Sequence, residues 1–155
     1  MKSSRKKTLS GRYILADVNL WLATLVEKHG HHESAVDWWR NEVITKSARV
    51  AFCRVTQLGL LRLLTNETVM GEQKRSIGQA WQDYEQLLSQ EPIIFVDEPE
   101  GVESLMKDHC ALSVSSRNFW TDAYLAAFAE ASGFSFATFD QGFKRFRRLD
   151  LALLS

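Results

Sequence analysis

The sequence predicts an α/β fold in which a parallel sheet is covered by helices on both faces. Three observations predict it: short, strongly apolar runs alternate with stretches of helical apolar spacing, the connections between them are brief, and the apolar runs are too continuous for strands with one wet face. The 155 residues are one domain's worth of chain, enough for a single substantial core. A hydrophobic share of 45% with 25% charged residues is that of an ordinary soluble globular protein, so the pattern can be read as a packed fold rather than a disordered or fibrous one.

Taken in order, residues 1–10 read as a basic, disordered arm and residues 11–155 as a single domain without linker or repeat. Arg12–Ala16 is the first strand. A helix over about Leu20–Lys28 ends at His29-Gly30, and a second, from His32 to about Thr45, carries Ala35, Val36, Trp38, Trp39 and Val43 on a mixed face. Arg49–Cys53 is a short strand, after which Thr56 opens the helix QLGLLRLLT. Ser76–Leu88 is helical by the spacing of Ile77, Ala80, Trp81, Tyr84 and Leu88. Pro92 ends that region, and Ile93–Val96 is the third strand. A helix over Gly101–His109 and a loop at Ser115-Ser116-Arg117-Asn118 precede the helix that contains Asp122. That helix runs through Gly133 into the strand Phe134–Phe139. After the basic turn Lys144–Arg148, Leu149–Leu153 is the last strand.

Composition narrows the function classes. With 19 basic and 19 acidic residues the chain has no global attraction to nucleic acid, so binding a polyanion requires a local basic patch. Cys53 and Cys110 are far apart in apolar surroundings, which argues against a disulfide framework or a zinc site and for a reducing cytoplasm. No apolar run approaches the roughly 20 residues needed to span a bilayer, and the basic start lacks the apolar stretch of a signal peptide, so no membrane role is expected.

Three aspartates stand where this fold would gather them. Asp17 closes the run Tyr13–Ala16, Asp140 closes Phe134–Phe139, and Asp122 lies in the first turn of its helix. Strand C-termini and helix N-termini share one edge of an alternating α/β sheet, the edge where ligands bind. Carboxylates crowded there repel one another unless a cation joins them, and hard divalent ions such as Mg²⁺ take oxygen ligands. Each aspartate also has an ordinary explanation as a helix or turn cap. Asp122 tilts the reading, because its helical neighbours Leu125, Ala126 and Ala129 put it on the face that packs against the sheet, where an unpaired carboxylate is costly. Asn19 can cap the next helix or support Asp17, and Thr138, on the same side of its strand as Asp140, can hold a carboxylate or a water.

Other groups are weaker candidates. His29, His31 and His32 straddle Gly30 without the i, i+4 pairing of zinc ligands and read as capping or surface residues. Ser113, Ser115 and Ser116 have no His/Asp pattern behind them, and no glycine-rich phosphate loop is present. Arg54, Arg62, Arg117, Lys144, Arg145, Arg147 and Arg148 could meet the phosphates of a polyanion, the last four being equally a solvated face. Trp120, two residues before Asp122, is the best candidate for stacking on a base.

The segments DVN after an apolar strand, CRVTQLGLLRLLTN, TDAYLAAFA and ATFDQGF, in that order, resemble the motifs of PIN-domain ribonucleases, especially VapC-type toxins. The resemblance covers nearly the whole chain beyond the basic arm. It implies a three-layer α/β/α fold and an Mg²⁺- or Mn²⁺-dependent endoribonuclease, commonly dimeric and restrained by a small antitoxin. Asp17, Asp122 and Asp140 match three of the family's four acidic positions. The fourth, commonly glutamate, is Gln57 here, which keeps a carbonyl oxygen and loses the charge; as a neutral partner at the metal edge it would weaken a second-ion site, and Gln57→Glu would tighten metal binding. Three carboxylates still suffice for one divalent ion. Two rivals remain: a catalytically weak RNA- or antitoxin-binding module, marked by Gln57, and an aspartate-based phosphotransferase, disfavoured because no second aspartate follows Asp17 at +2.

Overall fold

A computed structural model, which describes residues 11–111 and 116–155, places Tyr13–Ala16 (β1), Arg49–Phe52 (β2), Ile93–Phe95 (β3), Ser135–Thr138 (β4) and Leu151–Leu153 (β5) in one sheet. All pairings are parallel and the order is β3-β2-β1-β4-β5. The expected arm at residues 1–10, together with Ser113 and Ser115, lies outside the described residues.

Period-two alternation along each strand builds two cores. Ile14 and Ala16 of β1, Val50 and Phe52 of β2, and Ala137 of β4 pack in one cluster. Leu15, Ala51 and Phe136 point the other way into a second. The first core is covered by helices Val18–Leu25 (α1), His32–Trp38 (α2), Arg54–Leu64 (α3) and Ile77–Leu88 (α5), with the short Glu67–Met70 (α4) at its rim. The second is covered by Phe119–Ser132 (α7), against which Val102–Cys110 (α6) packs. This is the expected three-layer arrangement. Helix α7 is apolar almost all round, with Ala123, Leu125, Ala126, Phe128 and Ala129 buried, because it lies between the sheet and α6.

Local chemistry sets the boundaries. Ser76 and Gln79 form a reciprocal capping box that starts α5 one residue later than the sequence suggests. Gly133, at φ 69°, ends α7 in the left-handed conformation that glycine adopts without penalty. The predicted helix from His32 to Thr45 divides: α2 ends at Trp38, and Trp39–Thr45 continues with wider π-type winding. Helix α4 and a 3₁₀ turn over Gln141–Arg145 leave no mark in the apolar pattern, since four or five residues are too few to show a period. Leu149, expected in the last strand, is instead buried under α7 with Phe143 and Phe146, and β5 begins at Leu151. Neither Cys53 nor Cys110 is in a disulfide, and among the described residues no helix is long and apolar enough to cross a membrane.

Candidate active site

The chain builds β2 and β3 on one side of β1, then crosses to place β4 and β5 on the other. Such a reversal opens a crevice above the carboxyl ends of the two strands that flank it, here β1 and β4. A cavity of about 340 Å³ lies there, and Asp17, Asp122 and Asp140 all line it. Asp17 follows β1 directly, Asp140 follows β4 by two residues, and α7 brings in Asp122 from the opposite layer. Helix α3 closes the cavity with Val55, Gly59, Arg62 and Leu63. It approaches closely because Gly59 lacks a side chain: a Cβ there would stand 2.6 Å from Val18 Cγ2.

The three carboxylates are held differently. Asp17 caps α1, accepting the Val18 N–H at 2.8 Å, and its other oxygen accepts the Thr138 hydroxyl at 2.7 Å. Thr138 is fully buried, and its oxygen also accepts the Asp140 N–H at 3.0 Å and lies 3.4 Å from Asn19 Nδ2. Asn19 reaches back to the Phe139 N–H at 3.4 Å. Asp140 is exposed and caps the 3₁₀ turn by accepting the Gly142 N–H at 2.8 Å. Asp122 accepts from Arg145 Nη2 at 2.8 Å. Thr138 thus touches both Asp17 and Asp140, and Asn19 touches Thr138 and the Phe139 backbone between them.

Electrostatics agree with crowding. Burial pushes the Asp17 carboxyl above its ordinary pKa, the Thr138 and Val18 hydrogen bonds oppose the shift, and the charge of Asp140 adds to it. Asp122 is pushed up to about 6, first by burial, with Arg145 opposing and Asp140 and Asp17 adding like-charge repulsion. A cation placed among these groups relieves both the desolvation and the repulsion. Among the described residues, no group of three or more Asp, Glu, His or Cys side chains is drawn together closely enough to hold a metal ion as it stands. An oxygen-only set that leaves room for water is what Mg²⁺ or Mn²⁺ accepts, since Mg²⁺ keeps several waters and uses few carboxylates. The oxygen-only lining of the cavity by Asp17, Asp122 and Asp140 is of that chemical kind.

Several expectations are corrected. Gln57 does not line the cavity: it is buried on the face of α3 shared with Leu60 and Leu64, where its Oε1 accepts from Arg54, and it lies within hydrogen-bonding reach of Tyr84. Its spacing of +3 and +7 to those leucines places it on the core side. Arg54 itself stacks over Phe95 at 4.8 Å. Arg145 is not a free cation but is bound into the site through Asp122 and Ser116. Arg117 and Lys144 are exposed, as is Trp120 at 68%, so all three stand open to a ligand. Asn118 and Thr121 also line the cavity beyond the residues that the sequence points to; the spacing of Asn118, four residues before Asp122, puts both on one helical face.

A second cavity, about 300 Å³, lies between α1, α2 with its π-type extension, and α5, among Leu25, Val36, Trp39, Leu87 and Ile93. It holds one carboxylate, Asp83, which Arg75 pairs at 2.9 Å. Trp21 and Leu22 are buried and do not line it, whereas Trp38 and Trp39 are half-buried.

The parallel sheet and the three-aspartate crevice at its switch point match a PIN-type domain, and comparison with known proteins agrees. The PIN domain model matches residues 14–149, so this chain belongs to the PIN-domain family. It is 36% identical over 146 residues to Ribonuclease VapC41 of Mycobacterium tuberculosis, covering 92% of this chain and 99% of that one. Among solved structures it is similar to VapBC2 from Rickettsia felis bound to a promoter DNA fragment, with a TM-score of 0.67 at 14% identity over 92% of this chain and 99% of that one. It is also similar to Mycobacterium tuberculosis VapC20, described as a sarcin–ricin loop cleaving toxin, with a TM-score of 0.60 at 16% identity over 84% and 92%. At such identities these structures speak to the fold.

Proposed function

We infer that this protein is an endoribonuclease toxin that cleaves RNA phosphodiester bonds with Mg²⁺ or Mn²⁺ and is neutralised by a small antitoxin. The observation that carries the reading is the convergence of Asp17, Asp122 and Asp140 on one cavity at the sheet's switch point, in a PIN-domain chain 36% identical to a named ribonuclease. Asp17, Asp122 and Asp140 would hold the ion, which when bound would supply Lewis acidity toward a phosphate oxygen and a more acidic water for in-line attack. Thr138 and Asn19 fix Asp17 and the Phe139–Asp140 backbone, so the carboxylates need little reorganisation when the ion and substrate arrive. Arg62, on the cavity wall, is placed to meet a phosphate oxygen of the bound strand. Exposed Arg117 and Lys144 extend that positive rim, and Trp120 offers a face on which a base can stack.

Two partner surfaces belong to the same proposal. The apolar cavity beside Trp39, among Leu25, Val36 and Leu87, suits the apolar face of an antitoxin helix. Exposed Leu58 on α3, with Ile77 and Trp81 one turn apart on the neighbouring α5, suits a second copy of this chain in a homodimer. Action on cellular RNA, unpaired cysteines and restraint by an antitoxin suit the cytoplasm.

The test is cleavage of total RNA by the purified protein with Mg²⁺, Mn²⁺ or chelator, alongside expression of the chain alone and with its genomic neighbour. Metal-dependent cutting and growth arrest relieved by the neighbour are expected. A folded protein that binds Mn²⁺ yet cuts no RNA would instead be a binding module.

A further inference from the structure

Arg145 has an environment unlike that of the other basic residues near the cavity. Its Nη2 lies 2.8 Å from Asp122 Oδ2 and its Nη1 lies 3.2 Å from Ser116 Oγ. Its guanidinium carbon sits 4.9 Å from the Phe146 ring centroid and 5.5 Å from that of Phe119. The side chain is 25% exposed, against 14% for Asp122. Two hydrogen bonds and two aromatic faces hold the group in place, leaving it little freedom to swing toward a substrate. The segment that carries it is tied to the site as well, because Asp140 caps the 3₁₀ turn Gln141–Arg145.

We propose that Arg145 is a positioning residue for Asp122, clamping the carboxylate in the orientation that lines the cavity, and not a contact to RNA. The inference rests on the reading of Asp122 as a metal ligand. Without the clamp a carboxylate on the packing face of α7 would be free to change rotamer, and two neighbouring carboxylates would push it away from the cavity. The planar fork matters, since it spans Asp122 and Ser116 at once; a lysine ammonium supplies charge without that span.

The test uses the full-length protein with Mn²⁺ as the probe, titrated calorimetrically without RNA, and steady-state cleavage of an RNA substrate. Arg145→Gln should weaken Mn²⁺ binding and lower kcat by roughly ten- to a hundredfold, the loss typical of an outer partner of a metal ligand, with KM within about twofold. Arg145→Lys should recover part of both losses, which also guards against misfolding as the cause. A raised KM with unchanged kcat and unchanged Mn²⁺ affinity would make Arg145 a phosphate contact and overturn the proposal. Tighter Mn²⁺ binding in Arg145→Gln would overturn it too, since the guanidinium would then compete with the cation. Asp17→Asn separates the two levels. If it leaves Mn²⁺ affinity unchanged, the metal site itself is misassigned; if it abolishes binding while Arg145→Gln does not weaken it, only the clamp fails.

Discussion

Asp17 and Asp122 face the same cavity from opposite layers, and the molecule holds them by opposite means. On the β1–α1 side, neutral donors do the holding: the Thr138 hydroxyl and the Val18 N–H bond the two oxygens of Asp17. On the α7 side a full charge does it, through Arg145. Both carboxyls have a raised pKa because both are buried among like charges. Neutral donors fix geometry and leave the site's negative charge for a cation. A charged partner fixes geometry while offsetting part of that charge. The pair thus combines rigidity with a net charge small enough to fold around before any ion is bound.

Substitution should break the comparison most sharply. Asp17→Asn, Asp122→Asn and Asp140→Asn should each lower cleavage by roughly a hundredfold or more, beyond the loss expected for an outer-shell partner. Their effects on the fold should differ in degree. Asparagine is a good helix cap, and with its one oxygen on the Val18 N–H its amide N–H turns to the Thr138 oxygen. The relief of burial and like-charge repulsion offsets the lost acceptor, so Asp17→Asn should leave the metal-free melting temperature unchanged or slightly higher. Asp122→Asn removes a carboxylate whose raised pKa marks its ionised form as unfavourable in the fold, so at about pH 7 it should raise the metal-free melting temperature even though Arg145 loses its anion. Thermal melts without metal check this; a loss of stability in Asp122→Asn would mean that the Arg145 pair outweighs burial and repulsion.

Thr138→Val tests the neutral side. Valine keeps the shape and removes the oxygen that joins Asp17, Asp140 and Asn19. Cleavage should fall roughly ten- to a hundredfold, with weaker Mn²⁺ binding in calorimetry. Activity near that of wild type would show that packing alone orients Asp17.

Acid should act on the charged side. With Asp122 at about 6, cleavage at sub-saturating Mn²⁺ should fall by up to about tenfold per pH unit below that point, and saturating Mn²⁺ should move the fall to lower pH. Stability should run the other way. The folded pKa lies above the ordinary carboxyl value of 3.8, so the folded state holds the proton more tightly than the unfolded chain. The contribution of this group to metal-free stability is therefore complete below about 4 and is lost as pH rises through about 6. Melting curves at about pH 5 and pH 7 should show this slope shrink when Mn²⁺ is added. A pH-independent difference between Asp122→Asn and wild type would remove Asp122 as the titrating group.

These contrasts were only partly legible in the chain itself. Strands ending in Asp17 and Asp140 and a helix with Asp122 on its apolar face were visible, because burial on both faces of a parallel sheet leaves continuous apolar runs and a charged residue stands out against them. Thr138 followed from period-two spacing. What holds Asp122 did not: Arg145 reads as one of four cations in KRFRR, and only the 3₁₀ turn, too short to carry a period, aims it inward. The close approach of α3 at Gly59 depends on a tertiary contact with Val18, which no local pattern encodes.

The smallest effect should come from Gln57, where the family resemblance and the geometry part. The matching position in the family commonly holds an acid, which made a gain in metal affinity the expected result of Gln57→Glu. The structure turns this side chain to the core face of α3, with Leu60 and Leu64, while Val55, Gly59 and Arg62 face the cavity. A glutamate there would meet the Arg54 guanidinium that Gln57 already accepts from, and the pair would cancel most of the added field at the cation. Mn²⁺ affinity in Gln57→Glu should therefore stay within about twofold of wild type, a difference of under ~0.5 kcal/mol. Tightening of tenfold or more would mean that the side chain at 57 leaves Arg54 and turns to the ion once metal is bound, placing a fourth oxygen ligand on α3 and making the neutral glutamine the reason this site binds its ion loosely.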